Sequence, residues 1–147
     1  MICVINTNSN TCKIYHYKKS PAELTLLKEL THPESRLKSE NLTADKPGKY
    51  RSDTAGSGGA FTQRTDPKEI EIENFSREIA KEIDLGRVRN DFEKLILIAP
   101  PHMTGLLFQH LNKHAKDLIV NHIQKDLQHL KDHELLDFLK MHTKYPD

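Results

Sequence analysis

The chain has 147 residues, the length of one ordinary domain and enough to bury a core without disulfides or metal. Its 22 Lys+Arg stand against 21 Asp+Glu, a net charge of +1, so bulk charge argues for neither a dedicated nucleic-acid binder nor a membrane-surface protein. Charge is unevenly spread: residues 1–65 carry ten basic and six acidic side chains, residues 66–147 twelve and fifteen.

The opening Met1-Ile2-Cys3-Val4-Ile5-Asn6 has no basic leader, and its apolar run is too short for a signal-peptide core or a membrane span. A cytoplasmic protein without a membrane segment is expected. Cys3 and Cys12 lie in apolar segments without Cys-x-x-Cys spacing, which predicts buried reduced thiols rather than a zinc or redox site.

Three strands are predicted first, at Ile2 to Asn6, Thr11 to Tyr17 and Glu23 to Leu30. In the second, Cys12, Ile14 and His16 alternate with Lys13, Tyr15 and Tyr17. Thr7-Asn8-Ser9-Asn10 and Ser20-Pro21 supply the reversals, so the three are antiparallel neighbours. The third run also fits a helix, and strand is the preferred reading.

Between Asn41 and Asp66 the chain stops alternating apolar and polar residues, and 31–65 reads as a flexible loop within a single domain of 1–147. The loop contains Lys46-Pro47-Gly48-Lys49 and Gly56-Ser57-Gly58-Gly59-Ala60. Glycine admits positive φ and close approach of a partner to the backbone, and long loops in compact domains are usually functional or disordered.

Asp66-Pro67 begins a helix, with Asp66 as N-cap and Glu69 completing a capping box. Ile72, Phe75, Ile79 and Ile83 recur at helical spacing, and Gly86 is the expected stop. Glu69, Glu71, Glu73, Glu78 and Glu82 read as a solvated face. Leu95-Ile96-Leu97-Ile98-Ala99 reads as a strand buried on both faces and ended by Pro100-Pro101. A helix from His102 to His114, a buried strand from Leu118 to about Ile123, and a helix from Glu134 to Met141 complete the chain. The order βββ-α-β-α-β-α is that of an α/β, ribonuclease H-like mixed sheet, with the glycine-containing loop before the first helix.

A metal-dependent nuclease on such a sheet needs convergent carboxylates, yet the first strand offers Asn6 and the central strand ends in Ala-Pro-Pro. Only Glu73 or Asp84 on the helix is available. His110/His114 and His129/His133 have four-residue spacing without the glutamate of a His-Glu-x-x-His motif, and read as surface or half-buried histidines. Ser57 is not in a nucleophile elbow, and the glycine run lacks the Gly-Lys-Ser/Thr ending of a P-loop. No metal or cofactor is expected. A possible anion site remains at the helix start with His102, Thr104 and Gly105; the competing reading is that Gly105 lets the helix pack closely on the sheet.

Thr31-His32-Pro33-Glu34-Ser35-Arg36, Asp45-Lys46-Pro47-Gly48-Lys49, Phe75-Ser76-Arg77-Glu78-Ile79-Ala80, Ala99-Pro100-Pro101-His102-Met103-Thr104-Gly105-Leu106-Leu107 and Lys125-Asp126-Leu127 together resemble the bacterial host-attachment protein family, in the family's order. Asn6-Thr7-Asn8 departs from the Asp-containing turn usual there. That family in turn looks like the central domain of archaeo-eukaryotic class 1 peptide-release factors, in which a Gly-Gly-Gln loop before a long helix promotes peptidyl-tRNA hydrolysis. Here Gly58-Gly59 is followed by Ala60, and Gln63 is the weak catalytic candidate.

The resemblance implies a release-factor-like domain that binds ribosomal or transfer RNA without catalysis. Lys46, Lys49, Arg51 and Arg64 would meet phosphates and Gly56, Gly58 and Gly59 would form the tip. The alternatives are a peptidyl-tRNA hydrolase using Gln63, and a protein-interaction module affecting attachment to host cells.

Overall fold

The computed structural model describes residues 1–32 and 66–143. Within them five strands form one mixed sheet: β1 (Ile2–Thr7), β2 (Thr11–Lys19), β3 (Ala22–Thr31), β4 (Lys94–Ile98) and β5 (Ile119–Ile123). Their spatial order is β3-β2-β1-β4-β5. β2 is antiparallel to β1 and β3, whereas β4 is parallel to both β1 and β5. Four strands therefore run in one direction and end at one edge, called here the carboxyl end.

Among the described residues four helices pack on this sheet: α1 (Pro67–Val88), α2 (Pro101–His110), α3 (Lys113–Asp117) and α4 (Asp132–His142). Successive strand residues face opposite sides, and β4 shows what that does to a wholly apolar run. Leu95 and Leu97 join Phe75, Ile79, Ile83, Met103 and Leu107 under α1 and α2. Ile96 and Ile98 join Val4, Tyr15, Leu135 and Leu139 under α4. All four β4 side chains are fully buried, worth about 1.5–3 kcal/mol each against exposure. The alternation expected for Thr11 to Tyr17 holds as well: Cys12 and Ile14 turn to the α1 face, Tyr15 and Tyr17 to the α4 face.

The two edge strands break the pattern by one residue. β3 pairs Ile14 with Lys28 and Tyr15 with Leu26, leaving Leu27 as an extra residue. Leu30 thus packs on the α1 side and Leu24 on the α4 side, although both positions are even. In β5, Leu95 is opposite Ile119 and Ile96 opposite Asn121, leaving out Val120. Leu27 and Val120 are both exposed. Bulges of this kind twist an edge away from further pairing.

Several expectations are corrected. α1 does not stop at Gly86 but continues to Val88, and the left-handed residue past its end is Asn90, with φ 63°. A Cβ on Gly86 would lie 2.8 Å from Phe92 Cε2, so this glycine makes room for an aromatic ring. Asp66 does cap α1 by accepting from Lys68 N at 3.0 Å, but the Glu69 carboxylate reaches His102 rather than closing a box. The helix expected from His102 to His114 is two helices, because Asn112 caps α3 by accepting from Ala115 N at 2.9 Å. β5 is a half-exposed edge rather than a buried strand. A Cβ on Gly105 would meet nothing within 4 Å, so close helix–sheet packing does not account for it. The loop expected over 31–65 starts too early, since Thr31 belongs to β3.

Candidate functional site

The carboxyl end of the sheet gathers side chains from several segments. Thr7 closes β1, and Asn8 begins the turn to β2, accepting from Asn10 N at 2.8 Å and Thr11 N at 3.0 Å. This is the local bonding by which Asn favours turns over strands. The amide nitrogen of Asn8 then donates to Asp126 at 3.2 Å. Asp126 also accepts from Gln128 N at 3.1 Å, which fixes the segment between β5 and α4.

Gln128 ties that segment to the centre of the sheet. Its Nε2 donates to the Asn6 carbonyl at 2.6 Å, and its Oε1 accepts from Thr11 Oγ1 at 2.8 Å. Asn6 is 1 % exposed. Its Nδ2 makes a long bond of 3.4 Å to the Leu127 carbonyl, while its Oδ1 has no hydrogen-bond partner. A buried amide oxygen without a donor is costly, on the order of 1–3 kcal/mol, and such groups concentrate where a structure serves more than its own stability.

On the α2 side, Thr104 is buried and its hydroxyl donates to the Ala99 carbonyl at 3.1 Å. That leaves its oxygen to accept from His122 Nε2 at 3.3 Å. Desolvation holds the His122 imidazole below its ordinary pKa, which suits a neutral ring donating through Nε2. His102 is exposed, with Nε2 3.2 Å from both Glu69 oxygens. Of the three residues expected to hold an anion, Thr104 thus turns inward, His102 faces a carboxylate, and Gly105 stands open to solvent.

The carboxylates named from sequence have other partners. Glu73 lies 3.4 Å from both Arg77 and His110. Asp84 accepts from Arg87 at 2.8 Å and Asn112 at 2.9 Å, and these bonds hold it below the usual carboxylate range. His110 and His114 fall on different helices, α2 and α3. Among the described residues no group of three His, Cys, Asp or Glu side chains is placed to hold a metal, and no helix is long and apolar enough to cross a membrane.

Lys46, Lys49, Arg51, Gly56, Gly58, Gly59, Gln63 and Arg64 lie outside the described residues, but the two ends of their segment do not. His32 is 3 % exposed, donates its N–H to Asn10 O at 2.8 Å and rests its ring 5.6 Å from that of Phe75. Asp66 caps α1 one turn from the Glu69–His102 contact. Both anchors sit at the carboxyl end. Sequence reading located this segment but missed the cluster of Asn6, Asn8, Thr11, Asp126 and Gln128. Two signals were present, the density of Asn and Thr in the first turn and the landmark Lys125-Asp126-Leu127, but nothing local joins them, since the partners lie more than 110 residues apart.

Residues 3–139 match the model of a family described as "Protein required for attachment to host cells". An uncharacterized protein of Rickettsia prowazekii (strain Madrid E) is 31 % identical over 115 residues, covering 76 % of this chain and 71 % of that protein.

Proposed function

Because the chain belongs to the family of proteins required for attachment to host cells, we propose that it serves attachment by a binding act at the carboxyl end of its sheet. The ligand is ribosomal or transfer RNA, and no catalysis is involved. One observation carries the reading: Lys46, Lys49, Arg51 and Arg64 lie in the sequence between His32 and Asp66, and His32 is bonded to Asn10 in the turn that carries the polar cluster's Asn8. Basic side chains attract a polyanion by counterion release, and the cluster's amides and hydroxyls match sugar and phosphate groups.

The strand order β3-β2-β1-β4-β5 supports a ribonuclease H-like, release-factor-like reading of the fold, which motivates RNA as the ligand. A cytoplasmic location and an indirect route to attachment follow from that ligand. Ala60 stands where the release-factor resemblance would place glutamine, which favours binding over hydrolysis.

Sedimentation with ribosomes at low and high salt tests this. The protein is expected in the ribosomal fractions at low salt, and in the free fraction after combined alanine substitution of Lys46, Lys49, Arg51 and Arg64. A wild-type profile confined to free protein at low salt would sink the proposal. In a peptide-release assay, wild-type and Gln63→Ala proteins are expected to share one background rate.

A further inference from the structure

Toward the opposite end of the sheet, a cavity of about 230 Å³ lies between the α1 face and the C-terminal half of α1. Two features of the fold create it. The extra residue in β3 brings Leu27 and Lys28 to one wall, and the bare α-carbon of Gly86 lets Phe92 lie against α1 as another. Cys3, Ile14 and Ile83 complete an apolar floor.

The mouth is charged, and its charges are of two kinds. Lys28 and Glu82 form an ion pair at 3.0 Å across it and neutralise each other. Arg89 and Asp91 flank the left-handed Asn90 and line the same mouth; both are exposed, and neither side chain is in an ion pair among the described residues. A purely apolar ligand would leave this cation and anion unused at the rim. A simple acid or amine would use one of them. A zwitterion with an apolar side chain uses both and fills the floor as well.

We propose that this cavity binds a hydrophobic α-amino acid, with its carboxylate on Arg89, its ammonium on Asp91 and its side chain on Ile14, Ile83 and Phe92. The volume agrees with that class. It lies below the ~300–1,000 Å³ of sites for drug-sized ligands, which restricts the occupant to roughly ten non-hydrogen atoms, the size of leucine or phenylalanine. Apolar burial supplies affinity, and the two charge-assisted contacts at the rim supply selection. This site is independent of RNA engagement, which uses the other end of the sheet.

The test is titration of the isotope-labelled full chain with L-phenylalanine, followed by backbone amide NMR. Saturable shifts are expected at Ile14, Ile83 and Phe92, with a Kd within about 10 mM. Arg89→Ala and Asp91→Asn should each weaken binding about fivefold or more without changing the spectrum of the free protein, as both residues are exposed. The analogues 3-phenylpropionate, which lacks the ammonium, and 2-phenylethylamine, which lacks the carboxylate, should each bind about tenfold more weakly. The proposal is overturned by an absence of saturable shifts, by shifts confined to another surface, or by either analogue matching phenylalanine.

Discussion

Cys3 and Cys12 are buried, and burial pushes both thiols up to about 12 from an ordinary 9.0. A thiol held neutral is a poor nucleophile, so a disulfide-exchange reagent at pH 8 should label neither cysteine in the native protein and both in urea. The same shift affects stability. The folded state keeps protons that the unfolded chain releases above pH 9, so stability falls as pH rises from about 9 toward 12. Urea midpoints should decline over that window, and a Cys3→Val, Cys12→Val double variant should decline less. Two glycines offer a second contrast. Gly86→Ala forces a methyl to 2.8 Å from Phe92, and overpacking should outweigh the gain in helix propensity for a net loss of about 1–2 kcal/mol. Gly105→Ala meets nothing within 4 Å and should stabilise by about 0.5–1 kcal/mol. Thermal melts of the two variants should therefore move in opposite directions.

At the level of elements, α4 is held to the sheet by apolar packing and by a polar bond from Tyr15. Tyr15 is fully buried in β2, and its hydroxyl donates to Asp132 at 3.0 Å at the start of α4. Burial, and then this carboxylate, push the phenol well above its usual range. Tyr15→Phe should cost about 1–2 kcal/mol, since a hydrogen bond to a charged group is lost and little volume changes; a lower urea midpoint at unchanged m-value would report it. Elements whose signal is local were legible from sequence. β4 announces itself as an unbroken apolar run, and α1 by Asp66-Pro67 and the spacing of Phe75, Ile79 and Ile83. The edge strands were harder. A single extra residue, Leu27 or Val120, reverses which face each later side chain takes, and periodicity averages over such a slip. The division of α2 from α3 turns on one side chain, Asn112, and apolar spacing carries no trace of it.

For the whole molecule, the proposed RNA contact has a quantitative signature. If Lys46, Lys49, Arg51 and Arg64 each meet one phosphate, affinity should fall roughly 100-fold between 50 and 200 mM salt, and each single alanine substitution should lower the log–log slope by roughly one. Sedimentation or filter binding across that range measures it. The candidate site was only half legible because its halves obey different rules. A basic, glycine-containing segment is visible as composition, whereas the contacts of Asn8 with Asp126 and of Thr11 with Gln128 exist only once β5 has paired beside β4. The placement of β1 has a further consequence. It is the first strand of the chain yet lies at the centre of the sheet, with Ile2 opposite Tyr17 on one side and Lys94 on the other. A nascent chain can close the β1–β2 hairpin early, but the other edge of β1 must wait for roughly 75 further residues, about 4–15 s at ordinary rates of synthesis. Throughout that interval an apolar strand edge is open to pairing with another chain. Folding yield should therefore depend on elongation speed and on chaperones that shield this edge during synthesis.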